Sequence, residues 1–364
     1  MSEQTSAAEE MNSDAPAFLV DLIHQAQHSG ASDIHLHQVG DRAEVCFRVD
    51  GVLVPRMTLA GDLAERVFGR IKYLSRLKTY QHSLPQDGRI PRESVAADQD
   101  LRVATYPTVT GEKIVLRLFQ PTTSVGTLDT LEFPSAVRGE LELVLRSPGG
   151  LLLLTGPAGS GKTTTIYACL RFLLSLGGRH IITIEDPVEQ QIPGLMQTEI
   201  QEALGLDFAK ATRHLLRQDP QVLVVGEIRD EETARLVVRA AMTGHLVIST
   251  LHAGSCRGVI ERLLVMCPDH HAVVSALLLV LNQRLLRRMC TGCAAQGCPS
   301  CLNTGYRGRI AAVEWFRFPA NALGAARAFG PELVQPAPSL RQCAESLVMS
   351  GKTTRAEVER MFGS

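Results

Sequence analysis

The stretch LLLLTGPAGSGKTTTIYACL, residues 151–170, constrains the fold more than any other part of the chain. A short apolar run ends in a glycine-rich loop, and a helical pattern starts directly after it. Gly156, Gly161, Lys162 and Thr163 match the G-x-x-x-x-G-K-[ST] spacing in the strand-then-helix context that this motif requires. Glycines let the backbone curl until successive N–H groups point at phosphate oxygens. The helix N-terminus adds the positive end of its dipole. Lys162 is expected to reach the β- and γ-phosphates of ATP, and Thr163 to hold Mg²⁺. Pro157, Gly159, Ser160 and Thr164 complete the nucleotide-binding loop.

Three more apolar runs, HIITIED (180–186), VLVVGE (222–227) and HLVIST (245–250), alternate with helical patterns. Runs without polar alternation read as strands buried on both faces, which predicts an α/β fold with a parallel sheet between helices. Two of these strands end in carboxylates. Glu185 and Glu227 then fall at the sheet edge that carries the phosphate loop, where Mg²⁺ and an attacking water must be held. Either can polarise the water, and spacing leaves the choice open. Asp186, before Pro187, suits a helix cap. His245 and His252 bracket the last of these strands, placed to sense the γ-phosphate or to couple it to a neighbouring domain. The run VVSALLLVLNQRLL (273–286), broken by Asn282, Gln283 and Arg284, reads as a buried helix too short to span a bilayer.

The first third reads differently. Residues 1–15 are polar and acidic, the pattern of a disordered tail and the reverse of an export signal. FLVDLIHQAQHSG (18–30) is helical, with Gly30 as its stop. DIHLHQ, AEVCFRVDGVL, DLRVATYPT and EKIVLRLF alternate as strands, LAERVFGRIKYLSRL is an amphipathic helix, and LPQDGRI is a turn. The organisation is therefore an α+β unit over 16–120, a linker and helix over 121–148, and an α/β unit over 149–364. A net charge of −1 provides no whole-chain basic field, and no aromatic-basic groove is evident, so nucleic acid is not an expected partner.

Cys290, Cys293, Cys298 and Cys301 form C-x₂-C-x₄-C-x₂-C. A chain without an export signal points to a reducing compartment, which argues against a disulfide framework. Four thiolates at this spacing suit a closed structural Zn²⁺ site with no open position for catalysis. Redox-active or free thiols are the alternatives.

Taken together, these stretches resemble the secretion ATPases of type II secretion and type IV pilus systems. The resemblance runs over residues 16–318. It is carried by ASDIH (31–35), FRVDGVL (47–53), LPQDGR (84–89) and GEKIVLRL (111–118), then by the Walker A loop GPAGSGKTTT. TIEDPVE (183–189) is similar to the family's aspartate box, LRQDPQVLVVGEIRDEETA (216–234) to its Walker B region and TGHLVISTLH (243–252) to its histidine box. It implies a PAS-like N-terminal domain and a RecA-like P-loop ATPase core with a small cysteine subdomain over 289–309. It also implies a homo-hexamer with ATP between the two domains, and Arg89 and Arg102 reaching for its phosphates. Such a motor would be cytoplasmic, peripheral on the inner membrane, and partnered by a polytopic platform protein and other cytoplasmic-side components of the machine.

Two departures bear on direction of action. The histidine box ends LHAG where the family usually reads LHTN, and only AAQG separates the cysteine pairs. Paired C-x-x-C motifs followed by GYRGR, with closing helices like SLRQCAESLVMSGKTTRAEVERMF, belong to assembly and secretion members. The short N-terminal region is instead a trait of retraction members. The expected function is ATP-driven pilus assembly or type II secretion. A retraction motor, a nucleic-acid translocase or a non-hydrolysing ring scaffold are the alternatives.

Overall fold

The computed structural model describes residues 14–118, 126–318, 331, 334–336 and 338–363. The expected tail, apart from its last residues, and positions 119–125 of the expected linker lie outside them. The chain divides into two compact units, Met1–Thr123 with Met289–Gly308, and Ser124–Arg288 with Arg309–Ser364.

The first unit is an antiparallel six-stranded sheet with two helices on one face. In chain order its elements are α1 (Ala15–His28), β1 (Ala31–Val39), β2 (Arg42–Val49), β3 (Val52–Ala60), α2 (Gly61–Leu74), β4 (Gln86–Ile90), β5 (Leu101–Thr108) and β6 (Gly111–Leu118). The strands are ordered β3-β2-β1-β6-β5-β4. Alternation decides the faces: Ile34 and Leu36 of β1 are buried in the core with Leu22 of α1 and Ile71 of α2. LPQDGRI is not a turn, because its last five residues pair in register with β5 as the edge strand β4. Gly88 is required there, since a Cβ would lie 2.6 Å from the Ser75 carbonyl oxygen.

The second unit is a mixed sheet between helices. It contains α3 (Ser135–Arg146), β7 (Gly150–Thr155), α4 (Lys162–Leu176), β8 (Ile181–Glu185), β9 (Met196–Glu199), α5 (Phe208–Leu215) and β10 (Val222–Val225). These are followed by α6 (Glu231–Met242), β11 (Leu246–Leu251), α7 (Cys256–Met266), α8 (His270–Ala276), β12 (Leu277–Met289), β13 (Tyr306–Arg317), α9 (Leu340–Met349) and α10 (Arg355–Phe362). The order is β13-β12-β7-β11-β10-β8-β9. Every residue of β7, β10 and β11 is buried, as runs without polar alternation require. Leu151 and Leu153 enter the hydrophobic cluster on one face of the sheet, and Leu152 and Leu154 the cluster on the other.

The run expected as a buried helix is the largest departure. Its first residues end α8, and from Leu277 it is the long strand β12, parallel to β7 and paired with it from Leu151 to Thr155. An apolar run has no period of its own, so the partner strand decides its conformation. β13 returns beside β12, with Phe318 N–H donating to the Leu278 carbonyl at one end and Cys290 N–H to the Gly305 carbonyl at the other. The two strands are therefore antiparallel. GKTT (351–354) is the turn between α9 and α10, not a second phosphate loop. Glu357 of α10 is fully buried against β12, where it accepts hydrogen bonds from the Arg287 backbone N–H (2.9 Å) and from the Arg287 and Arg360 guanidinium groups.

Candidate functional site

The C-terminal ends of β7, β8, β10 and β11 share one edge of the parallel sheet. The loop after β7 curls through Gly156 (φ +133°), Gly159 (φ +72°) and Gly161 (φ +91°) into α4. Packing sets two of these glycines: a Cβ on Gly156 would lie 2.4 Å from the Gln283 carbonyl oxygen, and one on Gly161 would lie 3.0 Å from Gln283 Nε2. Gln283 of β12 is buried. Its side chain donates to the Ser160 carbonyl (2.8 Å) and accepts from the Thr165 hydroxyl (3.1 Å). Ser160 Oγ is buried in the loop without a partner among the described residues, as a hydroxyl awaiting a phosphate oxygen would be. Lys162 Nζ turns inward to donate to the Gly156 and Pro157 carbonyls, both at 2.9 Å. Burial holds its amine below the ordinary lysine pKa, and the nearby Glu227 carboxylate opposes that shift. Thr163 and Thr164 are exposed at the mouth of the loop.

The two candidate carboxylates have different surroundings. Glu227, just past β10, is paired with Arg229 and lies 3.3 Å from His252 Nε2. Arg229 also bridges to Asp186 (2.9 Å) and Glu202 (3.4 Å). Glu185, the last residue of β8, is held by neutral donors. Its Oε1 accepts from Thr183 (2.6 Å) and Gln197 (3.0 Å), and its Oε2 from the Tyr167 hydroxyl (2.5 Å). Tyr167 is buried on α4, and its oxygen accepts the backbone N–H groups of Glu189 and Gln190 at 3.2 Å each. Burial and the Glu185 hydrogen bond keep this phenol protonated far above its usual range. The aspartate box also contains a cis Asp186–Pro187 peptide. Asp186 is not the helix cap its position suggested, because the next element after β8 is the strand β9.

Lys162, Glu185, Glu227 and His252 are thus gathered on loops and strand ends at one sheet edge. His245 is not among them. It precedes β11, at the opposite edge beside Gly150, with Nδ1 3.0 Å from the Ala240 carbonyl. Six strand residues separate the two histidines, about 20 Å.

Arg89 and Arg102 belong to the first unit and face each other directly across β4 and β5. The same row continues through Arg117 of β6 and Asp33 of β1 to Arg48 of β2. Asp33 is only 5% exposed and accepts Arg117 (3.1 Å) and Arg48 (3.5 Å), while exposed Arg89 pairs with Asp100 (2.7 Å). This row lies on the sheet face opposite Ile34 and Leu36.

Sequence reasoning missed Tyr167, Gln283 and Arg229. The available signals were a phenol and an amide inside apolar runs, and a cation two residues after Glu227 in GEIRD.

The four cysteines close the loop between β12 and β13. Their Sγ atoms all lie within 4.8 Å of one another. Neighbouring sulfurs are separated by 3.6, 3.8 and 3.9 Å, and a tetrahedral Zn²⁺ with Zn–S of about 2.3 Å needs about 3.8 Å. The donor set therefore fits zinc. Ala294, Ala295, Gly297, Leu302 and Asn303 all have positive φ, which is how so short a segment brings the pairs together. Within the cluster the thiols shift in opposite directions: Cys298 is held down to about 6, chiefly by its hydrogen bond with Ser300, and Cys293 is pushed up to about 11, chiefly by burial.

No described helix is long and apolar enough to cross a membrane. A profile of the family described as "Type II/IV secretion system protein" matches residues 9–360. The chain is 37% identical over 358 residues to the "Protein transport protein HofB homolog" of Haemophilus influenzae, covering 97% of this chain and 75% of that protein. It is 39% identical over 365 residues to the "Type II secretion system protein HxcR" of Pseudomonas aeruginosa, covering 93% and 76%. Among solved structures, the pilus retraction motor PilT with bound ADP superposes with a TM-score of 0.64 at 27% identity, covering 95% of this chain and 97% of that one. With matches of this extent in profile, sequence and fold, the chain belongs to the type II/IV secretion system protein family.

Proposed function

We propose that this chain is a motor ATPase that hydrolyses ATP to drive type II secretion or type IV pilus assembly, working as a homo-hexamer on the cytoplasmic side of the inner membrane against a polytopic platform protein. The observation that carries the reading is the meeting, at one sheet edge, of a glycine loop holding Lys162 with two carboxylates in unlike surroundings. The 149–364 segment is read as the RecA-like ATPase core, with the cysteine knuckle over 289–309 as an excursion from it and 16–120 as a PAS-like domain.

In this reading the loop from Gly156 to Thr164 binds the phosphates through backbone N–H groups and the Lys162 amine. Thr163 is the residue to hold Mg²⁺, which neutralises phosphate charge when bound. Glu227, already paired with Arg229 and His252, is part of a charged relay that registers the γ-phosphate. Glu185 has no cationic partner among the described residues, which suits it to accept a proton from the attacking water. Arg89 and Arg102 supply guanidinium charge when the first unit closes on the phosphates. His245 lies away from this edge and is assigned the coupling role. The knuckle, with its closed ligand set, is structural and favours assembly or secretion over retraction.

Lys162→Ala tests the core of this reading. The variant should keep its circular dichroism and thermal midpoint and lose ATP turnover to background in a phosphate-release assay. Undiminished hydrolysis would refute the assignment. ATP binding without phosphate release by the unsubstituted protein, even with its membrane partner, would favour a scaffold. Stimulation by single-stranded DNA would favour a translocase.

A further inference from the structure

Among the described residues, Glu185 accepts at three positions. Thr183 and Gln197 fill Oε1, and the Tyr167 hydroxyl takes one position on Oε2. A carboxylate has about four such positions, so a single one, on the oxygen that Tyr167 grips, is left for a further donor. Tyr167 is itself fixed. It is 1% exposed, and two consecutive backbone N–H groups, from Glu189 and Gln190, point at its oxygen. Those two donors leave the phenol only its own proton to give, and that proton goes to Glu185. The ring is rooted on α4, the helix whose first residue is Lys162. One buried side chain therefore joins the phosphate-loop helix, the end of β8 and the segment that follows the aspartate box.

We propose that Tyr167 is a positioning residue for ATP hydrolysis: its hydroxyl fixes the orientation of Glu185 relative to the helix that carries Lys162, and so aims the one open acceptor position of that carboxylate at the attacking water. The inference rests on the reading of Glu185 as the group that accepts the water's proton. An ordinary structural tie would explain the burial of Tyr167, but it would not confine the effect of removing the hydroxyl to turnover.

The test is a double-mutant cycle on the purified full chain. Tyr167→Phe keeps the ring and deletes the hydroxyl, and Glu185→Gln removes the charge it aims. The expected results for Tyr167→Phe are a fall in kcat of about 10- to 100-fold, within the range of a misaligned proton acceptor. KM for ATP and the affinity for ADP should stay within about twofold, the latter also showing that the fold persists. In the Glu185→Gln background, Tyr167→Phe should cause little further loss, because groups acting as a unit are not additive. Wild-type turnover in Tyr167→Phe, with Glu185→Gln inactive, would overturn the proposal and leave the reading of Glu185 standing. So would an undiminished second loss in the Glu185→Gln background, or an equal weakening of ADP binding. Full turnover in Glu185→Gln alone would remove the reading of Glu185 and this proposal with it.

Discussion

Gln283 lies against two of the three positive-φ glycines of the phosphate loop, with its carbonyl oxygen over Gly156 and its side-chain amide over Gly161. Its amide is satisfied on both sides by the loop and by α4. Replacing it by leucine would take the donor from the Ser160 carbonyl, a cost of about 1–3 kcal/mol, and leave the Thr165 hydroxyl with only the Gly161 carbonyl (3.2 Å). We expect Gln283→Leu to raise the Kd for ATP by about tenfold or more and to lower the thermal midpoint. Isothermal titration on a hydrolysis-deficient background measures the first effect. Glutamate is a poor substitute, because the side chain must donate at one end and accept at the other. That the glycines, Lys162, Glu185 and Glu227 meet at one sheet edge could be read from the sequence, because the loop pattern and the strand ends put them there. Gln283 and Tyr167 could not. Their roles depend on which distant groups lie opposite them, 123 residues away for Gln283 and Ser160, and no local pattern encodes that.

Secondary structure was legible where residues alternate or where caps are marked. α1, α2 and the strands β1, β2, β5 and β6 follow their patterns, as do the buried strands of the second sheet. The two misread segments show the limits. β4 has the composition of a turn and is a strand only because β5 offers it a ladder. β12 has no period and is a strand because β7 lies beside it. The C-terminal helices return to β12 through the buried carboxylate of Glu357. Burial alone would raise its pKa, but hydrogen bonds from Arg360 and Arg287 outweigh burial and bring it down to about 2. A depressed carboxylate stabilises the fold above its unfolded pKa. That contribution is lost as pH falls from about 4.5 towards 2. The thermal midpoint of the wild type should therefore fall more steeply below pH 4.5 than that of Glu357→Gln. At neutral pH Glu357→Ala should cost about 1.5–3 kcal/mol, the range for losing hydrogen bonds between a buried carboxylate and partly exposed guanidinium groups, as read by denaturant unfolding.

At the scale of the whole molecule, the change in patterning near residue 150 marks the passage from the antiparallel strands of the first sheet to the fully buried strands of the second. The row of arginines across the first unit was not legible in the sequence, because it depends on strand register. Asp33 lies between Arg117 and Arg48, so those two share one buried carboxylate. Arg89 and Arg102 stand at the other end of the row. If those two serve hydrolysis when the units close, Arg89→Ala and Arg102→Ala should each lower kcat by at least about tenfold, less than a full arginine finger contributes. ADP affinity should be nearly unchanged in a fluorescence titration. Metal analysis of freshly purified, reduced protein should find one zinc per chain, falling to near zero in Cys290→Ser. Near-zero zinc in the wild type would leave the thiols free.

The position of the knuckle gives zinc a further significance. β13 is the outermost strand of the second sheet, and the loop that holds the four thiolates is its tether to β12. With the loop clamped, β13 is kept against its neighbour β12. With the clamp gone, the hairpin can splay and expose the row of backbone groups that β12 and β13 now pair. Unpaired rims recruit strands from other chains. Loss of zinc would then show itself first as turbidity and self-association on storage, before any fall in turnover at the far side of the strand.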